Sequence, residues 1–134
     1  MNNEIKQIIQ EFELFTDWED RYSYIIDLGK KLPSLSTLEK IDANKVDGCV
    51  SQVWLTTNQK DNKYYFSADS DAIIVKGLLA IILRIFSGQT KTQILDAGFQ
   101  ELFKALNLET HLTPSRSNGM FAVVEKIKDI VSKQ

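Results

Sequence analysis

Apolar residues Ile5, Ile8, Ile9, Phe12 and Phe15 recur at i, i+3, i+4, i+7 spacing and predict an amphipathic helix, with Asn2 or Asn3 as its cap. The pattern breaks at Thr16-Asp17 and then restarts. Asp17 suits an N-cap, Glu19 and Asp20 favour the positive end of the helix dipole, and Trp18, Tyr22, Ile25, Ile26 and Gly29 share one face. Gly29, Lys30 and Lys31 followed by Pro33 predict the end of this second helix. From Pro33 to Val46 periodicity is low and Ser, Asp, Asn and Lys are frequent, which predicts a long surface connection with room for a short strand.

Ser51 to Thr57 is β-branched and aromatic, Asn58 to Asn62 supplies turn residues, and Lys63 to Ala68 reads as a second strand. Together they predict an antiparallel hairpin with a five-residue turn. Asp69-Ser70-Asp71 is read as the cap of the longest apolar run, Ala72 to Phe86, which is apolar around nearly its whole circumference and is expected to be buried on all sides until Ser87-Gly88 ends it. Thr90 to Gln93 has the form of a capping box opening a short helix closed by Gly98. Phe99, Leu102, Phe103 and Leu106 mark another helix, and His111 to Gly119 reads as a second irregular stretch. Met120, Val123, Val124, Ile127, Ile130 and Val131 stripe a last amphipathic helix. The predicted architecture is α+β: a small antiparallel sheet flanked by helices and packed on a long buried central helix, forming a single domain over residues 1–134.

Composition narrows the function classes. The 134 residues carry a net charge of −2, with 43% hydrophobic and 25% charged residues, so a core without disulfides is expected and no basic nucleic-acid surface stands out. One cysteine excludes an intrachain disulfide and any cysteine-rich zinc or iron–sulfur site on this chain alone, which fits a reducing cytosol. No signal-peptide pattern opens the sequence, and the apolar run carries Lys76 and Arg84 and is too short to span a bilayer, so a soluble cytoplasmic protein is expected.

Candidate chemistry centres on that cysteine. Asp47-Gly48 is a turn signal, so Cys49 should lie at a loop tip with the strand leading away from it. Packing statistics alone favour a buried cysteine with no chemical role. The single histidine, His111, is the only partner available for a Cys-His pair, and nothing in the sequence places the two together. Asp69 and Asp71 have a spacing that can ligate magnesium, although carboxylates at a helix start are more often caps. Arg116, between two serines after Pro114, has the setting of an arginine that holds a carboxylate or orients a partner. The six glycines are scattered, without a phosphate-binding loop.

Four strings, in one order and at one spacing, resemble a known family. GCVSQVW from Gly48 to Trp54, DSDAIIVKGL from Asp69 to Leu78 and HLTPSRSNG from His111 to Gly119 look like the signature stretches of SufE-type sulfur acceptors. WEDRYSYIIDLGKKLP, from Trp18 to Pro33, matches that family's second helix. Departures are slight: Val50 stands where a polar residue is common, and Met120 where leucine is usual. The resemblance implies a fold similar to IscU-type scaffolds. It also implies that Cys49 receives sulfane sulfur from a SufS-type cysteine desulfurase, stimulates that enzyme, and passes the sulfur on for iron–sulfur cluster assembly on a SufBCD-like scaffold complex. No cofactor is expected on this chain, the pyridoxal phosphate (PLP) being the desulfurase's. The chain is expected to be a sulfur-transfer partner, monomeric or homodimeric, rather than an enzyme.

Within that reading, Asp47, Gly48, Val50, Ser51 and Gln52 form the supporting loop, and Asp71, Arg116 and His111 are candidates for holding the loop or touching the partner. Val50 would help seat the thiol in an apolar pocket at rest. At an ordinary thiol pKa of ~8.5, roughly 7% is thiolate near pH 7.4. Lowering the pKa by about two units gains roughly tenfold in thiolate and loses about as much in nucleophilicity, so access rather than acidity should set the rate. Two alternatives remain at this level: a Cys49/His111 hydrolase or transferase acting on small molecules, and an interaction module with a structural cysteine.

Overall fold

The computed structural model describes residues 3–133, so the candidate cap Asn2 lies outside them, and Asn3 opens the first helix. Helix α1 spans Asn3–Glu13 and α2 Trp18–Lys31, and strands β1 (Val53–Lys60) and β2 (Lys63–Ser70) pair antiparallel. Helices α3 (Ile73–Phe86), α4 (Lys91–Leu95), α5 (Phe99–Ala105), α6 (Leu108–His111) and α7 (Pro114–Ser132) follow. The fold is α+β, as its patterning predicts. Asp17 caps α2 by accepting from the Asp20 amide at 2.9 Å, and Thr90 and Gln93 close the reciprocal capping box.

Helix α3 is the hub, packing on α1, α2, β2, α4 and α7. Ile74, Leu78, Leu79, Ile81, Ile82, Ile85 and Phe86 are almost fully removed from water, and burying each such side chain contributes roughly 1.5–3 kcal/mol. It is not buried on every side, however. Ile73 is 51% exposed, and Arg84 reaches out to form a bidentate pair with Glu11 of α1 at 2.8 and 2.9 Å, with Glu4 at 3.3 Å. The guanidinium beside Glu11 holds that carboxyl below its ordinary range, against the opposing effect of burial, and Tyr24 donates a further hydrogen bond to it.

Helix α2 ends at Lys31, as the Gly29-Lys30-Lys31 pattern before Pro33 predicts, and Gly29 also lies where α2 crosses α3 opposite Gly77. A Cβ on Gly77 would sit 2.1 Å from the carbonyl oxygen of Ile25, and one on Gly29 2.6 Å from the backbone nitrogen of Gly77. The two glycines therefore let these helix backbones touch. The same close crossing sets the rotation of α2: Tyr24 turns inward against Phe12 and Phe15, and Tyr22 is left exposed rather than on the buried stripe.

The hairpin is longer than expected and its turn shorter. Asn58, Gln59 and Lys60 belong to β1, and only Asp61 and Asn62 turn, with φ of 53° and 65°. Asparagine and aspartate tolerate this left-handed region, and a two-residue turn of that hand matches strand twist. The strand starts at Val53, so Ser51 and Gln52 remain in the preceding loop. In the register Val53↔Ser70, Leu55↔Ala68 and Thr57↔Phe66, one face of the hairpin meets α3. Trp54 and Asp69 pair on the opposite face and are nevertheless buried, because the 33–46 connection lies over them. That connection contains a 3₁₀ turn at Asp42–Asn44 and a single bridge from Lys45 to Trp54. No helix among the described residues is long and apolar enough to cross a membrane.

Candidate functional site

The turn before the strand decides where the cysteine points. Gly48 has φ of 92°, a conformation costly for any residue with a Cβ, and a Cβ there would also lie 3.3 Å from that of Ala122 in α7. Beyond this turn Cys49 faces inward and is half-buried, while Val50 faces out at 85% exposure. Val50 borders the same cavity as the thiol but leaves most of its own side chain in solvent. The Sγ of Cys49 lies 3.7 Å from the carbonyl oxygen of Gly119, to which it donates a weak hydrogen bond. It lines a small cavity of about 40 Å³ with Val53, Val75, Leu78, Leu79, Ile82, Met120 and Val123 as the apolar walls, and Ser115 and Arg116 at one side. A cavity needs only ~10–15 Å³ of such space to admit a water molecule, so one more heavy atom fits beside the thiol. Burial pushes the thiol pKa above its ordinary value, and the Asp47 carboxylate adds to the shift. At rest the group is thus mostly the protonated, slowly oxidised thiol.

Two neighbouring carboxylates hold the chain on either side of this loop. On the far side, the exposed Asp71 accepts from the Gln52 amide at 3.1 Å and from the Gln52 side-chain Nε2 at 3.2 Å, and its own amide donates to the Gln52 carbonyl at 3.4 Å. Asp69 is 1% exposed and accepts from Lys40 Nζ at 3.0 Å, Lys76 Nζ at 3.5 Å, and the amides of Leu35 and Ser70 at 3.1 and 2.9 Å. Burial raises its pKa, but the lysines and amides outweigh burial and hold it below the usual carboxylate range. The reading of Asp69 and Asp71 as caps of α3 is therefore corrected. Asp69 lies within strand β2, one residue before its end at Ser70, α3 starts after Ala72 without a side-chain cap, and both carboxylates are engaged elsewhere. Nor do they offer a magnesium site: among the described residues no group of three or more potential ligands forms a metal cluster.

Arg116 also reaches the thiol's surroundings, though not from an irregular stretch. Thr113 caps α7 by accepting from the Arg116 amide at 3.3 Å, Pro114 fills the first turn, and Ser115 to Gly119 are already helical. Thr-Pro at a helix start is a standard opening signal, since proline's missing N–H is unbonded there anyway. Arg116 lines the Cys49 cavity, and its guanidinium has no ion pair or hydrogen bond among the described residues. His111 closes α6 and stacks on Trp18 with ring centroids 4.1 Å apart; it does not border the cavity. The structure thus gathers Cys49, Gly48, Val50, Ser51, Gln52, Asp71 and Arg116 around one loop and leaves His111 elsewhere.

The family model of the SufE Fe-S metabolism associated domain matches residues 6–131. The chain belongs to the SufE family. It is 41% identical over 128 residues to an uncharacterized SufE-like protein of Rhizobium meliloti, covering 92% of this chain and 91% of that one. A SufE-like protein of Rhizobium etli is 42% identical over 129 residues, covering 93% and 87% of the two chains. One of Synechocystis is 38% identical over 124 residues, covering 92% and 77%. Among solved structures, a hypothetical protein from Thermus thermophilus superposes with a TM-score of 0.79 over 97% of this chain and 94% of that one. At 18% identity this likeness shows the shared fold alone. Family membership connects the chain with iron–sulfur metabolism.

In this SufE-family chain, reading single residues missed two members of the site. Gly119 supplies the carbonyl facing Sγ, and a Cβ there would lie in ordinary contact with the sulfur at 3.6 Å. Its signal was a glycine in the second turn of a helix, where glycine is otherwise unfavourable. Lys40 was hidden in a stretch without period, and nothing in the sequence pairs it with Asp69.

Proposed function

We propose that this chain is a sulfur acceptor and carrier: Cys49 takes sulfane sulfur from the persulfide of a PLP-dependent, SufS-type cysteine desulfurase and yields it for iron–sulfur cluster assembly, with a SufBCD-like scaffold complex as the acceptor. The observation that supports this most directly is the setting of Cys49. The only cysteine stands on a loop flanked by glycine, with its thiol turned into an apolar space that admits one extra atom.

The chemistry is a redox-neutral exchange. Cys49 leaves its cavity, loses its proton to solvent and attacks the outer sulfur of the donor persulfide as thiolate. The donor's S–S bond breaks as the Cys49 S–S bond forms, and the donor cysteine departs as thiolate. Returning inward, the new persulfide places its terminal sulfur in the cavity, away from small thiols and oxidants. The chain performs no turnover alone; it stimulates the desulfurase by clearing the enzyme's persulfide, which makes it a partner rather than an enzyme. Arg116, with an unengaged guanidinium at the cavity's edge, is the group we assign to the partner's surface or to the persulfide anion. This reading places the protein in the cytoplasm, where the thiol stays reduced.

The test is desulfurase turnover, followed as alanine release from cysteine with and without this chain. Stimulation by the wild type that vanishes in Cys49→Ser and weakens in Arg116→Ala is expected. Equal stimulation by Cys49→Ser would overturn the reading. The hydrolase alternative has no support in the geometry, because His111 is committed to the Trp18 stack.

A further inference from the structure

We infer that Asp69, acting through Lys40, is a positioning residue for the sulfur loop: it pins the loop's entry side as Asp71 pins its exit side, so that residues 47–51 swing as a short flap between fixed anchors. The inference rests on the carrier reading of Cys49 for its purpose, but its geometry is independent of that reading.

On the exit side, the anchor is the Asp71–Gln52 contact described above. On the entry side, Val46 donates its amide to the Val53 carbonyl at 2.9 Å, and Lys45 bridges Trp54, so the base of the loop is stitched to the start of β1. That stitch is a single-bridge edge with little holding power by itself. What presses it down is the connection before it. Lys40 sits with Nζ 5.6 Å above the Trp54 ring and 3.0 Å from Asp69, the residue directly across the ladder from Trp54. Leu35 is fastened to the same carboxylate through its amide. The buried carboxylate thus holds a lysine and a backbone amide of the connection on the outer face of the hairpin, in the segment that leads to the thiol.

Asp69 and Asp71 are separated by one residue at the end of β2, and their side chains go to opposite stems of one loop. An ion pair serving only the core would not need to recruit the connection that carries the cysteine. With both ends pinned, five residues can carry the thiol outward by at most about half their extended length, ~8 Å. Without the Asp69 anchor the swinging segment would extend back toward Pro33. The resting position of Cys49 against Gly119 would then be one of many.

The experiment uses the full chain in a Trp18→Phe background, where Trp54 is the remaining one of two tryptophans and its emission reports the cover over the hairpin. Lys40→Met keeps length and loses charge, leaving Lys76 to compensate Asp69; Lys40→Arg keeps the charge. Alkylation of Cys49 by iodoacetamide, Trp54 emission and thermal melting are measured on each. Lys40→Met should alkylate about tenfold faster, the factor expected when a hydrogen bond to a charged group no longer favours the closed loop. Its Trp54 emission should shift to the red while the cooperative melt is kept, and Lys40→Arg should return both readouts to near the parent. A folded Lys40→Met with the parent's alkylation rate, or a folded Lys40→Arg that behaves like Lys40→Met, would overturn the inference. If Lys40→Met does not fold, amide exchange on the parent decides: Leu35 and Val46 should be protected well beyond Gly48 and Cys49, and equal exchange would overturn the inference. Failure of the carrier reading itself would appear separately, as no sulfur on Cys49 in the parent chain, with these rates unaffected.

Discussion

Replacing Asp71 with alanine removes both side-chain acceptors that hold Gln52, three residues beyond the thiol, at 3.1 and 3.2 Å. A hydrogen bond to a charged partner is typically worth ~1.5–3 kcal/mol. Both bonds here are solvent-exposed, so screening and competition by water reduce the pair to roughly 1–2 kcal/mol. The resulting change in the ratio of open to closed loop is about 5- to 30-fold. If alkylation of Cys49 requires the loop to open and opening is rapid, the second-order rate with iodoacetamide should rise by that factor. Asp71→Asn, which retains one acceptor oxygen, should fall between. Thermal melting separates this from general destabilisation: the rate should rise in a protein that melts within a few degrees of wild type. A folded Asp71→Ala that alkylates at the wild-type rate would refute the assignment of Asp71 as the exit anchor.

Three further outcomes follow from contacts elsewhere. The pH at which Cys49 becomes reactive should lie above that of a free cysteine, and Asp47→Asn should lower it, because a nearby negative charge opposes thiolate formation; a midpoint unmoved by Asp47→Asn would leave burial as the sole cause. Gly77→Ala should cost ~3 kcal/mol or more in urea unfolding, since a methyl 2.1 Å from the Ile25 carbonyl forces α2 off α3, and a loss below ~1 kcal/mol would show that the crossing can relax. Asp69 has a depressed pKa in the folded chain, so its contribution is complete above the unfolded carboxylate pKa of ~3.9 and is lost as pH falls through the lower folded value. Asp69→Asn should accordingly flatten the acid limb of stability against pH in that window.

The helical content was legible because amphipathic stripes and caps are local signals: Asp17 and the Thr90–Gln93 box sit where their chemistry requires. The errors came where tertiary contact overrode local preference. Asp69 and Asp71 precede an apolar run as caps do, yet one is recruited by two lysines and the other by Gln52, 19 residues upstream in the chain. Gly29 belongs to the helix end that the sequence predicts, but its contact with Gly77 on another helix has no local signal. His111 to Gly119 looks irregular in the sequence, yet Pro114 opens α7 within it. For the site, the glycine turn and the isolated cysteine were readable, and the strings from Gly48, Asp69 and His111 carried the family. The inward direction of the thiol was not, because Val50 and Cys49 are both apolar neighbours and only the φ of Gly48 and the carbonyl of Gly119 decide which one turns in.

Uptake of sulfur by Cys49 is the property from which the carrier role follows. Incubating the chain with a SufS-type desulfurase, PLP and cysteine, followed by intact mass measurement without reductant, should show one added sulfur atom on the wild type. The addition should be removed by reductant and absent from Cys49→Ser. An unchanged mass in the presence of an active desulfurase that the chain does not stimulate would contradict the central claim.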